Sequence, residues 1–131
     1  MTDGPFFGRR VLLIEDEMMV AMLLKDILAD LGFTVVGSAA RVEHALALIE
    51  AAGALDAAVL DINLNGQMSY PVADALVARR VPFLFATGYD RDSVMNGYRS
   101  FPLLQKPFRL LELADALTKL LPPKEMTASH G

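Results

Sequence analysis

Short apolar runs alternate along this chain with longer segments of helical periodicity, and this alternation constrains its fold more than any other feature. The runs are rich in Val, Ile, Leu and Phe and occupy residues 10–14, 33–37, 57–60, 83–86 and 102–104. Such alternation predicts βαβ units and therefore a parallel sheet. With 131 residues, 53% of them hydrophobic, the chain has the length and the apolar content of one domain.

The segments between and after the runs predict helices over residues 20–31, 42–52, 71–80 and 110–121. Gly32 suits the C-terminal cap of the first helix, Ser38 is a candidate N-cap of the second, and Pro71 suits the first turn of the third. Residues 90–100 are polar and include Gly97, so we expect only a short or mobile helix there. The prediction is an α/β fold in which five βα units form one doubly wound, five-stranded parallel sheet.

Composition excludes several classes of protein. The net charge of -4, the pI near 5.0 and the scattered Lys and Arg residues argue against a nucleic-acid partner. The chain has no cysteine, so it offers neither a disulfide framework nor a thiolate metal site. The apolar block at residues 11–14 is too short for a signal-peptide core, and no run approaches the ~20 apolar residues that span a bilayer. We expect a cytoplasmic protein with no membrane partner.

Polar residues follow four of the five predicted strands at the point where each strand ends. Glu15 and Asp16 follow the first strand, Asp61 the third, Thr87 closes the fourth, and Lys106 follows the fifth. In a doubly wound sheet the carboxyl ends of the strands meet at the ligand-binding edge. The sequence therefore predicts one pocket with three carboxylates, a hydroxyl and an ammonium group.

This set of side chains is suited to phosphoryl chemistry. Neighbouring carboxylates repel each other, and a divalent cation relieves that repulsion. Oxygen ligands without His or Cys suit Mg²⁺ that keeps part of its water shell. A carboxylate can attack phosphorus to form an acyl phosphate, while Mg²⁺, Lys106, the Thr87 hydroxyl and backbone N–H groups stabilise the transferred charge. The residues thus predict a phosphoryl-acceptor site.

Four short motifs carry a family resemblance: IEDE at 14–17, LDIN at 60–63, ATG at 86–88 and KPF at 106–108. In this order and at these separations they resemble the receiver domain of two-component response regulators. The resemblance covers residues 9–121 and implies the flavodoxin-like (CheY-like) topology. Residues 1–8 would then be an N-terminal extension and residues 122–131 a flexible C-terminal tail.

The resemblance also implies roles for individual residues. Asp61 would be the phosphoacceptor and a metal ligand, and Asp16 the other direct carboxylate ligand of Mg²⁺. Glu15 would act on the metal mainly through bound water, and Asn63 would bind it through its backbone carbonyl.

Two further residues would contact the phosphoryl group. The resemblance makes Thr87 the switch hydroxyl that turns toward it and Lys106 its ion-pair partner. It also implies a cis Lys106-Pro107 peptide bond, although only ~5–6% of X-Pro bonds in general are cis.

The chain departs from the usual receiver pattern at the switch. Most receivers have an aromatic residue three positions before the lysine, where this chain has Leu103, so the usual Thr/aromatic switch cannot operate in that form. Gly88-Tyr89 follows Thr87, and FATGY resembles the divergent Phe-Ala-Thr-Gly-X-Tyr receiver subfamily, which is often associated with kinases of the HWE type. We hypothesise that switching orders residues 88–100, with Tyr89 in the aromatic role.

The leading functional prediction is a stand-alone response regulator receiver. It would accept a phosphoryl group from a sensor histidine kinase on Asp61 and act through altered protein contacts, phosphorelay or drainage of phosphate from the kinase. It would not be an enzyme beyond self-assisted transfer and slow autodephosphorylation. A small aspartyl-phosphate phosphohydrolase is an alternative, but it needs a second acid where this chain has Asn63, and a substrate cap. An FMN-binding module would need a Ser/Thr/Gly-rich loop where Glu15 and Asp16 stand.

Three other features fit structural roles. Glu17 suits a solvated charge in the first helical turn. The methionines within residues 18–22 favour helix packing over a partner-binding surface. Asn65-Gly66 has the composition of a plain turn.

Overall fold

The computed structural model describes residues 4–121. Its central sheet has five parallel strands, in the order β2-β1-β3-β6-β7. The strands and helices are β1 Arg10–Ile14, α1 Met18–Asp30, β2 Thr34–Ala39, α2 Val42–Ala51, β3 Ala57–Leu60, β4 Asn63–Leu64, β5 Gln67–Met68, α3 Tyr70–Ala78, β6 Phe83–Thr87, β7 Leu103–Gln105 and α4 Leu110–Leu120. The predicted five-stranded parallel sheet of the flavodoxin-like receiver fold is confirmed.

Strand β3 lies at the centre of the sheet and is buried on both faces. Ala58 and Leu60 contribute to the core beneath α2 and α3, whereas Ala57 and Val59 contribute to the core beneath α1 and α4. An uninterrupted apolar run suits this position because helices cover both faces of a doubly wound parallel sheet. The strand therefore carries the residue that follows it, Asp61, to the middle of the carboxyl edge.

Two helices end in the same backbone motif but with different residues. Gly32 has a φ of 104° after α1, and the N–H of Phe33 donates to the carbonyl of Leu28, which confirms the predicted cap. After α3 the equivalent position is Arg80, with a φ of 59°. Glycine adopts this conformation without steric cost, whereas arginine does not.

The predicted N-cap of the second helix is wrong. Ser38 lies within β2, opposite Leu13, because β2 continues to Ala39. The N-cap residue is Arg41, whose side chain makes no capping bond. The N–H of Val42, the first residue of α2, instead donates to Oε1 of Gln67 at 3.1 Å, from a different part of the chain.

A two-stranded hairpin, residues 63–68, lies between β3 and α3, where the sequence predicted only a turn. Its tip is Asn65-Gly66, with φ angles of 56° and 93°. Positive φ at both central residues is typical of the tight turn that joins antiparallel strands. The turn prediction is confirmed, and the short strands β4 and β5 on either side of it are an addition.

The predicted fifth helical segment is absent as an α-helix. Residues 88–101, here called the post-β6 segment, contain only a single 3₁₀ turn at Arg91–Ser93. Val94 is the one residue of this segment that is fully buried, and Gly97 has a φ of 97°. The expected short helix is thus one turn long because too few apolar side chains recur at helical spacing.

Residues 4–8 pack against the domain. The Phe6 ring is 2% exposed and stacks on Phe33 with 4.7 Å between ring centroids, and the N–H of Phe6 donates to the carbonyl of Leu31. The predicted N-terminal extension therefore contributes to the core beneath α1. The predicted tail at 122–131 lies outside the described residues. Within residues 4–121, none of the helices is both long enough and apolar enough to cross a bilayer.

Candidate functional site

The predicted acidic residues meet at the carboxyl ends of β1 and β3. One oxygen from each of Glu15, Asp16 and Asp61 lies within 4.8 Å of the others. The register of the sheet explains the meeting: Ile14 pairs with Leu60, so the residues that follow them emerge side by side. Glu15 is 3% exposed and Asp61 7% exposed, so both carboxylates are largely removed from water.

Lys106 completes this group, which we call the acidic site: Glu15, Asp16, Asp61 and Lys106. Its Nζ donates to Oδ2 of Asp61 at 2.8 Å and to Oε1 of Glu15 at 2.9 Å. The N–H of Lys106 donates to the carbonyl of Thr87 at 2.7 Å, which ties its backbone to the end of β6, and the peptide bond between Lys106 and Pro107 is cis. The expected cis peptide is thus confirmed.

Burial and charge act on the acidic site in opposite directions. Burial raises the pKa of the Glu15 carboxyl, against the lowering effect of hydrogen bonds from Lys106 and from the N–H of Glu17. Burial also works to lower the pKa of the Lys106 ammonium, but the hydrogen bonds to Asp61 and Glu15 outweigh it, so this pKa lies above its usual value. One ammonium therefore stands among three carboxylates and offsets only part of their charge.

The donor set fits a magnesium ion. The three carboxylates offer only oxygen atoms, and Asp16 is half-buried with no hydrogen-bond or ion-pair partner among residues 4–121. Excess negative charge, oxygen ligands and an unpartnered carboxylate suit a hard divalent cation. Asp16 and Asp61 would hold it directly, with Glu15 beside them.

The pairing of the hairpin leaves the backbone carbonyl of Asn63 available as a further oxygen ligand. Asn63 pairs with Met68 in the hairpin. The next pair, Ile62 with Ser69, is hydrogen-bonded, because the N–H of Ser69 donates to the carbonyl of Ile62 at 2.8 Å. Antiparallel pairs alternate between hydrogen-bonded and non-hydrogen-bonded. The Asn63–Met68 pair is therefore of the second kind, and the hairpin does not use the Asn63 carbonyl.

Thr87 and Tyr89 are linked to each other and to the hairpin. Thr87 is fully buried at the end of β6, and its Oγ1 accepts a hydrogen bond from the N–H of Tyr89 at 3.4 Å. The Tyr89 hydroxyl accepts from Nδ2 of Asn63 at 3.4 Å and contacts Sδ of Met68 at 3.8 Å. No hydrogen bond joins Thr87 to Asp61 among the described residues.

The other two predicted switch residues make contacts with parts of the chain other than the carboxylates. Leu103 is half-buried in β7, where it pairs with Phe85 and packs on the core beneath α2 and α3. Gly88 is exposed, its carbonyl accepts from Nε2 of Gln105 at 3.4 Å, and a Cβ built on it would meet no atom within 4 Å. Within residues 4–121, neither residue makes a hydrogen bond to the acidic site.

Sequence reasoning missed two residues that contact the acidic site. Oε1 of Glu17 lies 3.5 Å from Nζ of Lys106, although its side chain is 64% exposed. Ser69 is fully buried and its hydroxyl donates to the carbonyl of Asp61 at 2.6 Å. Proximity in sequence to Asp16 is a signal for Glu17, whereas Ser69 reaches Asp61 only because the intervening hairpin returns the chain to β3.

The predicted packing role of the methionines is wrong. Met18, Met19 and Met22 are 74%, 79% and 56% exposed, and Leu23 beside them is 60% exposed. The buried side of α1 is instead formed by Ala21, Leu24 and Leu28. Met18 and Met22 line a cavity of about 310 Å³ that also includes Glu15 and Asp16, so this apolar surface adjoins the acidic site.

Comparison with known proteins agrees with this geometry. Residues 11–118 match the model of the response regulator receiver domain family. The transcriptional regulatory protein TcrA of Mycobacterium tuberculosis is 36% identical over 123 residues, which are 89% of this chain and 47% of TcrA. The chain spans between 47% and 62% of the length of the curated relatives that it matches.

Solved structures of receiver domains are also similar. SdrG of Sphingomonas melonis Fr1 is 46% identical, with a TM-score of 0.76 over 92% of this chain and 98% of SdrG. The receiver domain of sensor histidine kinase PA1611 of Pseudomonas aeruginosa PAO1, whose structure has a magnesium ion in the active-site cleft, is 26% identical, with a TM-score of 0.70 over 86% of this chain and 97% of that domain. Fold, acidic site and family match agree, and the chain belongs to the family of response regulator receiver domains of two-component systems.

Proposed function

We propose that this receiver accepts a phosphoryl group on Asp61 from the phosphohistidine of a sensor kinase. A carboxylate oxygen of Asp61 bonds to phosphorus while the bond from phosphorus to the histidine nitrogen breaks, and the electron pair of that bond stays on the nitrogen. The single observation that carries the proposal is the Lys106 ammonium, 2.8 Å from Oδ2 of Asp61 beside two further carboxylates. Lys106 is therefore positioned to stabilise charge on the transferred group.

Mg²⁺ would be held in this reaction by the carboxylates of Asp16 and Asp61 and by the Asn63 carbonyl. Glu15 would act on it through bound water. The bound ion would neutralise negative charge on the carboxylates and on the phosphoryl oxygens. Lys106 donates hydrogen bonds to the Asp61 and Glu15 carboxylates from one side, and Thr87 offers its hydroxyl from the end of β6. These roles rest on the proximity of the groups and on the resemblance to receivers.

The geometry supports an acceptor more than a phosphohydrolase. A hydrolase needs an acid two residues after the nucleophile, and Asn63 has an amide that cannot donate a proton as a carboxylic acid does. Its amide is also occupied, because Oδ1 accepts from the N–H of Gly66 at 2.6 Å and Nδ2 donates to Tyr89. We therefore expect signalling by protein contacts, with only slow loss of the phosphoryl group.

Intact-mass analysis tests the acceptor role. We expect wild-type protein incubated with Mg²⁺ and a small phosphodonor to gain one hydroxylamine-labile phosphoryl group. Asp61→Asn should gain none, whereas Asp74→Asn, which removes an exposed carboxylate outside the acidic site, should gain it as wild type does. Lack of the adduct on wild type, or its presence on Asp61→Asn, would exclude Asp61 as the acceptor.

The donor kinase would contact the exposed apolar surface of α1. Met18 and Met22 line the cavity beside Glu15 and Asp16, and Met19 and Leu23 are exposed on the same helix, so a helix that presents its histidine to Asp61 would cover this surface. A kinase of the HWE type fits the resemblance to the FATGY subfamily. Met19→Glu should slow labelling by the cognate kinase but leave labelling by a small phosphodonor unchanged, and equal slowing with both donors would contradict this contact.

The switch would operate through the post-β6 segment. If the Thr87 hydroxyl turns to the phosphoryl group, the N–H of Tyr89 loses its acceptor, and Tyr89 and the residues after it rearrange. We expect a phosphoryl mimic to change amide exchange across residues 88–100 in wild type but not in Thr87→Ala. Equal exchange with and without the mimic in wild type would contradict this switch. A receiver in the cytoplasm would pass the signal by contact with a downstream protein or by phosphorelay.

A further inference from the structure

Ser69 links three parts of the chain near the phosphoacceptor. It is fully buried, and its hydroxyl donates to the carbonyl of Asp61 at 2.6 Å. Its N–H donates to the carbonyl of Ile62 at 2.8 Å, and its own carbonyl accepts from the N–H of Val72, also at 2.8 Å. The start of α3 is thus attached to two consecutive carbonyls that follow β3.

These two carbonyls belong to the backbone run that carries two proposed metal ligands. Asp61 supplies its carboxylate and Asn63 its backbone carbonyl, with one residue between them. The run lies beyond the last residue of β3, so the parallel ladder fixes only the N–H of Asp61, which donates to the carbonyl of Ile14 at 2.9 Å. The direction of the peptide after Asp61 depends on what holds the carbonyls of Asp61 and Ile62.

The hydroxyl of Ser69 is the group that holds the first of them. Asp61 is largely buried, so its carbonyl has little access to water and requires a partner from the protein. Without the Ser69 hydroxyl, rotation of the peptide toward another donor would relieve the unsatisfied carbonyl, and it would move the Asp61 carboxylate and the Asn63 carbonyl relative to each other. Partners of metal ligands affect metal binding in this way.

We propose that Ser69 is a positioning residue that fixes the distance between the Asp61 carboxylate and the Asn63 carbonyl and so sets the affinity of the site for Mg²⁺. The proposal rests on the proposed function, because it assumes that these two groups bind the ion. Ser69 acts through its hydrogen bond and touches neither the ion nor the phosphoryl group.

Two variants test the hydrogen bond. Ser69→Ala removes the donor, and Ser69→Cys keeps a side chain of similar shape with a weaker donor. Because loss of a partner of a metal ligand typically weakens binding 10–100-fold, we expect the Mg²⁺ dissociation constant of Ser69→Ala to rise about tenfold. Ser69→Cys should lie between Ser69→Ala and wild type. Amide chemical shifts followed by NMR during a titration with Mg²⁺ alone give these constants without any phosphorylation.

A matched control separates positioning from general destabilisation. Ile49→Val removes one buried methyl group from α2, on the same face of the sheet but outside the acidic site, and should leave Mg²⁺ binding unchanged. A second readout is labelling by a small phosphodonor. The Mg²⁺ concentration for half-maximal rate should rise about tenfold in Ser69→Ala, while the rate at saturating Mg²⁺ stays within about threefold of wild type.

The outcomes distinguish this inference from the proposed function. If wild type binds no Mg²⁺, the proposed function fails. If wild type binds Mg²⁺ and Ser69→Ala and Ser69→Cys bind it equally well, only the positioning role of Ser69 is overturned. Equal weakening in Ile49→Val also overturns it, and if Ser69→Ala does not fold, the comparison of Ser69→Cys with wild type decides.

Discussion

The acidic site and the post-β6 segment lie next to each other but are held in place by different forces. The acidic site follows β1 and β3, whose residues from Val11 to Ile14 and from Ala57 to Leu60 are at most 1% exposed. In the post-β6 segment only Val94 is fully buried, Tyr98 and Phe101 are partly buried against the core, and side-chain-to-backbone hydrogen bonds also hold its path. Burial therefore fixes the first, whereas the second is less buried and depends more on hydrogen bonds that water can replace.

The arginines of the post-β6 segment show how such a path is maintained. Arg99 donates from Nε to the carbonyl of Val94 at 2.6 Å and from Nη2 to that of Asp92 at 3.1 Å. Arg91 donates to the carbonyls of Arg99 and Phe101. A hydrogen bond of this kind contributes only about 0.5–1.5 kcal/mol net. Exchange of one such bond therefore costs less than displacement of the buried carboxyl edge of the sheet.

Truncation of the strand behind the acidic site should have the largest effect. Leu60 is 0% exposed and directly precedes Asp61. Leu60→Ala should lower the free energy of unfolding by about 2–5 kcal/mol in urea titrations, because it leaves a cavity in the core. Leu111→Ala, at a position 79% exposed, should change it by less than about 0.5 kcal/mol. Similar losses in the two variants would contradict the assignment of the acidic site to the buried sheet.

Removal of the ammonium should have the next largest effect. Lys106→Met leaves the Glu15 and Asp61 carboxylates without their hydrogen-bond donor, so we expect a loss of about 1–3 kcal/mol in the free energy of unfolding near neutral pH without Mg²⁺. The Glu15 pKa is already raised and loses a hydrogen bond that lowers it. A raised carboxyl pKa contributes stability at pH below its unfolded value and loses it as pH rises, so the variant should become more stable relative to wild type on acidification. Denaturation at several pH values checks this.

A substitution in the post-β6 segment should change the free energy of unfolding less than the two above, but it should change amide exchange within the segment more. Arg99→Ala removes donors to two carbonyls, so we expect about 1 kcal/mol or less in the free energy of unfolding but much faster amide exchange over residues 91–101. Hydrogen exchange with mass spectrometry measures the local effect. Arg79→Ala, an exposed arginine at the end of α3, should leave that exchange unchanged. Unaltered protection in Arg99→Ala would mean that the core, and not the arginines, holds the segment.

The smallest predicted effect concerns one contact of this segment with α3. The Tyr98 hydroxyl donates to Oδ1 of Asp74 at 2.8 Å, and this hydrogen bond is the main cause of the raised pKa of the phenol. Asp74→Asn should bring that pKa back toward its ordinary value, as measured by the ultraviolet absorbance of tyrosinate. In wild type the contact contributes stability below the ordinary phenol pKa and loses it as pH rises through the raised value. An unchanged titration would show that the contact does not form in solution.

The predictions from sequence differed in accuracy between the two regions. The apolar runs marked all five strands to within one or two residues at each end, and the residues after them placed Glu15, Asp16, Asp61 and Lys106 in one pocket. The post-β6 segment was recognised as weakly helical, but its arginine and tyrosine contacts were not foreseen. Its hydrogen bonds join side chains to carbonyls that have no sequence signature.

The methionines and Ser69 show the limit of the sequence in a second way. Periodicity places Met18, Met19 and Met22 on a helix, but which side of that helix meets the sheet follows from packing, and these side chains are exposed. Serine is a residue type favoured at helix N-caps, and Ser69 directly precedes α3, yet its hydroxyl donates to the carbonyl of Asp61, eight residues earlier. The hairpin at residues 63–68 brings Ser69 back to Asp61, and the sequence predicted only the turn of this hairpin.

The sequence by itself determined the parallel sheet, its order of elements and the acidic site, because burial on both faces requires continuous apolar strands and their ends must meet at one edge. Tertiary structure alone decided the hydroxyl that holds Asp61, the Gln67 amide that accepts from the first N–H of α2 and the path of residues 88–101. The physical reason is that apolar periodicity is written along the chain, whereas a hydrogen bond between distant polar groups exists only after the backbone brings them within about 3 Å of each other.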